Sequence, residues 1–270
     1  MISWWRRRFQ RRVEPDAQAF ARTIEVLPSL ALLDIEAHQR LRDYTGRFLA
    51  DKHFAGAHGL EVDGAMRTTI AQLACWPVLN LGYHWLSGWR EVIVYPGAFR
   101  ARRAHDDEDT GVVHEWDEDL AGESWDNGPL ILSWQDLCLD LSEPDDLQNV
   151  VVHEIAHKLD ARSGGADGAP PLPRSIDGRH WAQVFRAAYD HLCAQVDRDD
   201  HQAAIDPYAA SAPEEFFAVV SEYHFLAPQL LAAAYPDVAR LTAQFYAGGR
   251  LAVADARAGA PPPPRGPPRG

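Results

Sequence analysis

Cysteine is scarce in this sequence, with three residues in 270, Cys75, Cys138 and Cys193. They form no C-x-x-C pair and their number is odd, which argues against a framework of disulfide bonds. Unpaired cysteines of this kind usually behave as small buried hydrophobic residues in a reducing compartment. We therefore predict a cytoplasmic protein.

Long apolar runs are also missing. No stretch reaches the roughly 18 consecutive apolar residues that a membrane-spanning helix needs. The arginine-rich start, MISWWRRRFQRRV, is not followed by an apolar run of signal-peptide length. We expect neither secretion nor a membrane span.

Positive charge is in deficit, because 26 Lys and Arg face 39 Asp and Glu, for a formal net charge of −13. Nucleic-acid binding depends on clustered basic side chains, so we expect no direct nucleic-acid partner. The 46% hydrophobic content is sufficient for one sizeable core. We predict a single catalytic domain over residues 15–255, between a basic segment at 1–14 and a flexible tail rich in Pro, Gly and Arg at 256–270.

The most informative motif that is present is the pentapeptide HEIAH at residues 153–157. Residues four apart lie on one face of an α-helix, so His153 and His157 can direct imidazole nitrogens at one metal ion. Glu154, between them, can reach a water molecule beside that metal. This H-E-x-x-H arrangement is typical of zinc peptidases.

The residues around the pentapeptide predict that it lies in the middle of a helix. Ser142 precedes Pro144 and Asp145, a pattern typical of a helix N-cap followed by an acidic first turn. Apolar residues at helical spacing then continue to a stop at Gly164 and Gly165.

A catalytic zinc site usually has a third protein ligand. Position 163 is Ser, which excludes the pattern with a third His ten residues after His153. Farther along, Ser211 and Glu214 fit an S-x-x-E capping box, which leaves the adjacent Glu215 free to point elsewhere. We predict Glu215 as the third ligand.

Two further carboxylates are candidates near this site. Glu222 follows Glu215 by seven residues on nearly the same helix face, and could be the ligand instead or could hold a ligating histidine by a hydrogen bond. Asp160 lies on the same face as His153 and His157, and could likewise accept an imidazole N–H, or be an ordinary polar residue at a helix end.

Two stretches carry a family resemblance, VVHEIAHKLDARSGG at 151–165 and IDPYAASAPEEFFAVVSEYHF at 205–225. The resemblance is to the Mlc titration factor A family of bacterial zinc peptidases. It extends to WPVLNLGYHWLSGWREVIVYPGAF at 76–99 and GESWDNGPLILSWQDL at 122–137, which occur in the family's order.

The resemblance implies one zinc ion per chain, held by His153, His157 and Glu215 in a gluzincin-type site similar to that of the anthrax lethal factor catalytic domain. The position of Glu154 within H-E-x-x-H predicts that it is the general base. The resemblance implies that Tyr208 stabilises the transition state. It further implies an aminopeptidase-like activity on a peptide substrate, and a partner of the Mlc repressor type.

The order of predicted elements is helix, helix, strands, helix, helix. Helical periodicity covers 33–52 and 65–76, and strands are predicted at 91–95, 111–116 and 129–134. We therefore predict an α+β, mainly helical, zincin-like fold with a small sheet beside the H-E-x-x-H helix. Residues 128–134 are either the edge strand that receives the substrate or an ordinary central strand.

A function of another class competes with the peptidase: a non-catalytic regulator that sequesters a transcription factor, with zinc serving only the fold. Glu154 favours the enzyme, because a structural zinc site has no use for a general base.

Overall fold

The computed structural model describes residues 12–97, 128–165, 167–198 and 203–249. Ten helices and three strands lie in these ranges, in the order α1 (Ala17–Val26), α2 (Pro28–Ala31), α3 (Ile35–Asp51), β1 (His53–Gly56), α4 (Gly64–Cys75), β2 (Glu91–Tyr95), β3 (Leu130–Ser133), α5 (Trp134–Ser142), α6 (Val150–Asp160), α7 (Gly178–Val196), α8 (Pro213–Leu226), α9 (Pro228–Ala234) and α10 (Pro236–Tyr246). Short 3-10 turns lie at Tyr83–Leu86, Pro144–Asp146, Ala161–Ser163 and Pro207–Ala210.

The three strands form one parallel sheet in the order β1-β2-β3. Val92 of β2 lies opposite Leu130 of β3, and Val94 lies opposite Leu132, so that four fully buried side chains share one face. The helix α6 packs against β3. The mainly helical α+β fold with a small sheet beside the H-E-x-x-H helix is therefore confirmed.

The helices predicted at 33–52 and 65–76 are also confirmed, as α3 and α4, although the strand β1 lies between them. Asp34 caps α3 by accepting a hydrogen bond from the amide of Ala37 at 2.7 Å, and Asp63 caps α4 through the amide of Met66 at 2.8 Å. The strand predicted at 91–95 has the observed bounds of β2, and the one predicted at 129–134 is β3. The strand β1 and the helices α1, α2, α5, α7, α9 and α10 were not predicted.

The start of the H-E-x-x-H helix was predicted wrongly. Ser142 is the last residue of α5, and Leu147 has a left-handed backbone with φ of 57°. This conformation interrupts the helical path, so α6 begins only at Val150. Its N-cap is Asn149, whose side chain accepts from the amide of Val152 at 3.0 Å.

The predicted capping box of the later helix is also wrong. The N-cap of α8 is Ala212, which has no side-chain acceptor, and the Ser211 hydroxyl instead donates to the carbonyl of Tyr208 at 2.7 Å. Pro213 occupies the first helical position, where no N–H is required.

The core surrounds α8 and positions it against α6. Phe216 and Phe217 of α8 are fully buried, and Trp181 and Phe185 of α7 stack beside them with ring centroids 4.1 Å apart. Because α8 is anchored by large apolar side chains, the carboxylates on its other faces have fixed positions relative to α6.

Several predictions fall on residues outside the described ranges. These are the strand at 111–116, the tail at 256–270 and most of the basic segment at 1–14. Within the described part of the chain, the helices are too short or too polar to cross a membrane.

Candidate metal site

The helix α6 brings the two histidines of the pentapeptide side by side. Their ring centroids are 4.8 Å apart, as expected for residues one turn apart on one helix face. His153 is almost fully buried, with 2% of its side chain exposed, whereas 22% of His157 is exposed. The pair therefore faces from the core toward the surface.

Glu215, on the first turn of α8, lies opposite this pair. One of its carboxylate oxygens is 2.9 Å from Nε2 of His153, and the other is 3.4 Å from Nε2 of His157. The three side chains each offer one ligand atom, and these atoms lie within 4.8 Å of one another. Among the described residues, this is the one cluster of three or more His, Cys, Asp or Glu side chains that could hold a metal ion.

The charge of Glu215 is maintained by its two neighbours. Burial alone would raise the pKa of this carboxyl group, but hydrogen bonds from His153 and His157 outweigh that effect and hold the pKa well below its usual 4.5. A carboxylate that stays ionised beside two imidazoles is a suitable ligand for a divalent cation.

Glu222 contacts the opposite nitrogen of His153. Its Oε1 is 2.5 Å from Nδ1 of His153, and its Oε2 accepts from the amide of Asn149 at 2.5 Å. Of the two roles considered for Glu222, the geometry favours the one in which it holds a histidine, because a proton held on Nδ1 leaves Nε2 as the ligand atom.

The buried amino-terminal end of α6 is satisfied by side-chain oxygens from three places. Besides the contacts of Asn149 and Glu222, Asp140 of α5 accepts from the amide of Val150 at 2.7 Å. These acceptors fix the start of α6 and therefore the position of His153, which lies in its first turn. Sequence reasoning missed Asn149 and Asp140, although an Asn just before a Val-rich helical run is an N-cap signal.

Asp160 does not hold an imidazole. Its Oδ2 accepts from the amide of Gly168 at 2.7 Å, and its Oδ1, although buried, has no hydrogen-bond partner among the described residues. Burial raises the pKa of Asp160 to about 6 despite the hydrogen bond from Gly168. Gly168 has φ of 78° and lies so close to Pro213 that a Cβ there would be 2.7 Å from the Pro213 carbonyl oxygen. Asp160 therefore attaches the loop after α6 to the start of α8.

Glu154 and Tyr208 complete the set of predicted residues. Glu154 is half-buried on α6, next to His153. Tyr208 lies on the 3-10 turn Pro207–Ala210 before α8, with its ring 6.2 Å from that of His153. The turn packs against α8, so the structure places Tyr208 on the same side of the helix pair as the cluster.

Comparison with families of known proteins matches residues 1–247 to the family described as glucose-regulated metallo-peptidase M90. The chain belongs to this family. The metallo-peptidase M90 match and the His153, His157 and Glu215 cluster together indicate a metal ion, since two imidazole nitrogens and a carboxylate oxygen match the ligands of a catalytic zinc site.

Similar proteins carry the name Mlc titration factor A. One from Enterobacter sp. (strain 638) is 38% identical over 252 residues, which is 91% of each chain. One from Pectobacterium atrosepticum is 41% identical over 230 residues, or 84% of each chain. One from Escherichia fergusonii is 40% identical over 225 residues, or 82% of each chain. The family resemblance seen in the sequence is therefore confirmed.

Proposed function

We propose that this chain is a zinc-dependent peptidase with an aminopeptidase-like activity, acting in the cytoplasm as a single catalytic domain over residues 15–255. The observation that carries the proposal is the convergence of His153, His157 and Glu215 to within 4.8 Å, in a member of a metallopeptidase family. We assign these three side chains as the ligands of one zinc ion per chain. The three cysteines form no disulfide bond, which agrees with a reducing compartment, but only Cys75 is buried as expected, since Cys138 is exposed and Cys193 is half-buried.

Besides the three ligands, Glu154, Tyr208 and Glu222 each have a separate role in the proposed reaction. Zinc supplies Lewis acidity, which makes water a stronger nucleophile and the peptide carbonyl a better electrophile. Glu154 accepts the proton of the attacking water and passes it to the leaving amine. Tyr208 donates a hydrogen bond to the carbonyl oxygen as negative charge develops on it. Glu222 keeps the proton of His153 on Nδ1.

The strand β3 is the candidate site for the peptide backbone. It pairs with β2 on one side and packs against α6, and Lys158 of α6 donates to the carbonyl of Gly128 at 2.9 Å, just before the strand begins. Among the described residues, no strand pairs with the other side of β3. An extended peptide can add itself to such an edge by main-chain hydrogen bonds.

The peptidase assignment is tested by metal analysis of the purified protein, with cleavage of a peptide library before and after chelation. We expect one zinc per chain, cleavage that stops on chelation and returns with zinc, and no cleavage by Glu154→Gln, which keeps the shape of the side chain but removes the base. A Glu154→Gln protein that retains zinc and cleaves as well as the unmodified protein would contradict the mechanism.

The name of the relatives favours a second role, binding of a repressor of the Mlc type. Glu154→Gln separates this role from catalysis, since the substitution leaves the surface nearly unchanged. If binding and catalysis coexist, the variant still captures the purified repressor while its cleavage of peptides is lost. Repressor binding by the unmodified protein, together with zinc and no cleavage of any library peptide, would favour the non-catalytic regulator instead.

A further inference from the structure

The turn that carries Tyr208 is held by side-chain hydrogen bonds at both ends. At its start, Oδ1 of Asp206 accepts from the amide of Tyr208 at 2.9 Å, which makes Asp206 the cap of the 3-10 turn. At its end, the carbonyl of Ala210 accepts from the hydroxyl of Tyr189, on α7, at 3.2 Å. Such short turns have few internal hydrogen bonds, so these contacts, together with the packing of the buried Ala209, hold the turn in place.

Two other hydrogen bonds of Asp206 lead to the elements of the metal site. Its Oδ2 accepts from Nε2 of Gln148 at 3.3 Å, and its backbone amide donates to the hydroxyl of Tyr223, on α8, at 3.2 Å. Gln148 directly precedes Asn149, the N-cap of α6. One residue therefore connects the turn to the start of the histidine helix and to the helix that carries Glu215.

The hydrogen bonds at the other end of the turn do not make this connection. The Tyr189 hydroxyl belongs to α7, and the Ser211 hydroxyl, which donates to the Tyr208 carbonyl, follows in the same chain segment. Among the hydrogen bonds described for this turn, those of Asp206 with Gln148 and Tyr223 link it to α6 and α8, the helices that carry the metal site.

We propose that Asp206 is a positioning residue for Tyr208: it fixes the phenol ring beside His153 and takes no part in the chemistry itself. The proposal rests on the function proposed above. A hydrogen bond that stabilises a transition state depends on placement within a fraction of an ångström, and a displacement of about 1 Å can reduce the rate about 100-fold. Asp206→Ala removes the cap of the turn and the contact with Gln148 together.

The kinetic test is a double-mutant cycle of Asp206→Ala and Tyr208→Phe on one peptide substrate. We expect each single variant to lower kcat at least about tenfold with KM little changed, because the bond forms mainly in the transition state. In the Tyr208→Phe background, Asp206→Ala should have no further effect on kcat, since its target is gone. The zinc content should stay at that of the unmodified protein.

Two matched variants separate positioning from general damage. Asp206→Asn keeps an oxygen that caps the turn and an amide that can pair with Gln148, so it should restore most of kcat. Asp34→Ala removes a comparable cap, that of α3, and should leave kcat unchanged. If the effects of Asp206→Ala and Tyr208→Phe multiply, Asp206 acts independently of Tyr208 and the proposal is overturned.

A second measurement does not depend on activity. With 3-fluorotyrosine incorporated at position 208, Asp206→Ala should shift or broaden the ¹⁹F resonance, whereas Asp34→Ala should not. An unchanged resonance in Asp206→Ala would overturn the positioning role. If Tyr208→Phe leaves kcat intact, the catalytic role proposed for Tyr208 fails, and the ¹⁹F result alone decides whether Asp206 positions it.

Discussion

The two histidines of the pentapeptide lie on one helix, four residues apart, in very different surroundings. His153 is 2% exposed and lies between two carboxylates, with Glu222 at Nδ1 and Glu215 at Nε2. His157 is 22% exposed and has a longer contact with Glu215, at 3.4 Å. The difference arises because α8 runs along α6 and places two carboxylates beside His153.

The helix α6 therefore has two unlike halves. We call the half around the buried His153 the fixed half and the half around the more exposed His157 the open half. Around His153 the start of α6 is held by Asn149, Asp140 and Glu222. Past His157 the helix ends at Asp160, where one buried oxygen has no hydrogen-bond partner among the described residues. We infer that the half around His153 sets the geometry of the site, whereas the half around His157 is the more accessible one.

The difference between the two halves can be measured by replacing each histidine in turn in the metal-free protein and comparing the losses of stability. We expect His153→Ala to lower the free energy of unfolding by about 3 kcal/mol, because Glu215 and Glu222 both lose a buried hydrogen-bond partner and keep only their contacts with His157 and with the Asn149 amide. His157→Ala should cost about 1 kcal/mol or less. Urea denaturation in the presence of a chelator measures both, and equal losses would show that the two halves are equally fixed.

The affinity for zinc reports how much the contact between Glu222 and Nδ1 of His153 contributes to the site. Glu222→Gln places an amide N–H2 group against either His153 or the Asn149 amide, so one of two hydrogen bonds is lost. We expect zinc to bind about 10- to 100-fold more weakly, in a competition assay with a chelating dye. Glu214→Gln, on the same helix, is the control and should bind zinc as the unmodified protein does. A Glu222→Gln variant that matches this control would show that His153 needs no partner at Nδ1.

The last residue of α6, the buried Asp160, has a pH dependence of its own. Burial raises its pKa to about 6 in the folded protein, from 3.8 in an unperturbed chain, so the folded state binds the proton more tightly. This contribution to stability is fully present below about pH 4 and is lost as the pH rises through 6.

Asp160→Asn should remove that dependence, because the amide oxygen still accepts from Gly168 and no charge forms. At pH 8 we expect the metal-free variant to be more stable than the unmodified protein by about 1 to 2 kcal/mol, and at pH 4 the two should agree. Denaturation midpoints at the two pH values test this. A variant less stable at pH 8 would mean that the ionised Asp160 is compensated by its surroundings.

The smallest expected effect concerns the start of the fixed half. Asn149→Ala removes the cap of α6 and should cost about 1 kcal/mol of stability. Ser142→Ala should cost less than about 0.5 kcal/mol, since Ser142 ends α5 and caps no helix start. Thermal unfolding of the two variants distinguishes them, and the opposite order would restore the helix start inferred from the sequence.

The parts of the site that follow from helical spacing could be predicted from the sequence. His153 and His157 share a face because they are four residues apart. The sequence argument for Glu215 depends on a capping box at Ser211 and Glu214 that does not form, although the structure does place Glu215 beside both histidines. For Glu222 the sequence left two roles open, metal ligand or hydrogen-bond partner of a ligating histidine. Its spacing of seven residues from Glu215 puts it on the same helix face, but does not show which atoms of the histidine helix lie opposite.

The missed features depend on contacts between distant segments or on backbone conformation. The left-handed Leu147 breaks an apolar pattern that otherwise looks continuous from 142 to 159, so the helix start was placed too early. The strand β1 has four residues directly after a long helix and is fixed by pairing with β2. Asp206 contacts Gln148, 58 residues away, and no local pattern indicates such a pair.

Anomalous diffraction at the zinc edge, from crystals of the protein as purified, would show directly whether a single zinc ion is held by His153, His157 and Glu215. We expect one anomalous peak per chain, about 2.0 to 2.2 Å from Nε2 of both histidines and from a carboxylate oxygen of Glu215. A peak coordinated by Glu222 in place of Glu215, or located away from the pentapeptide, would contradict this expectation.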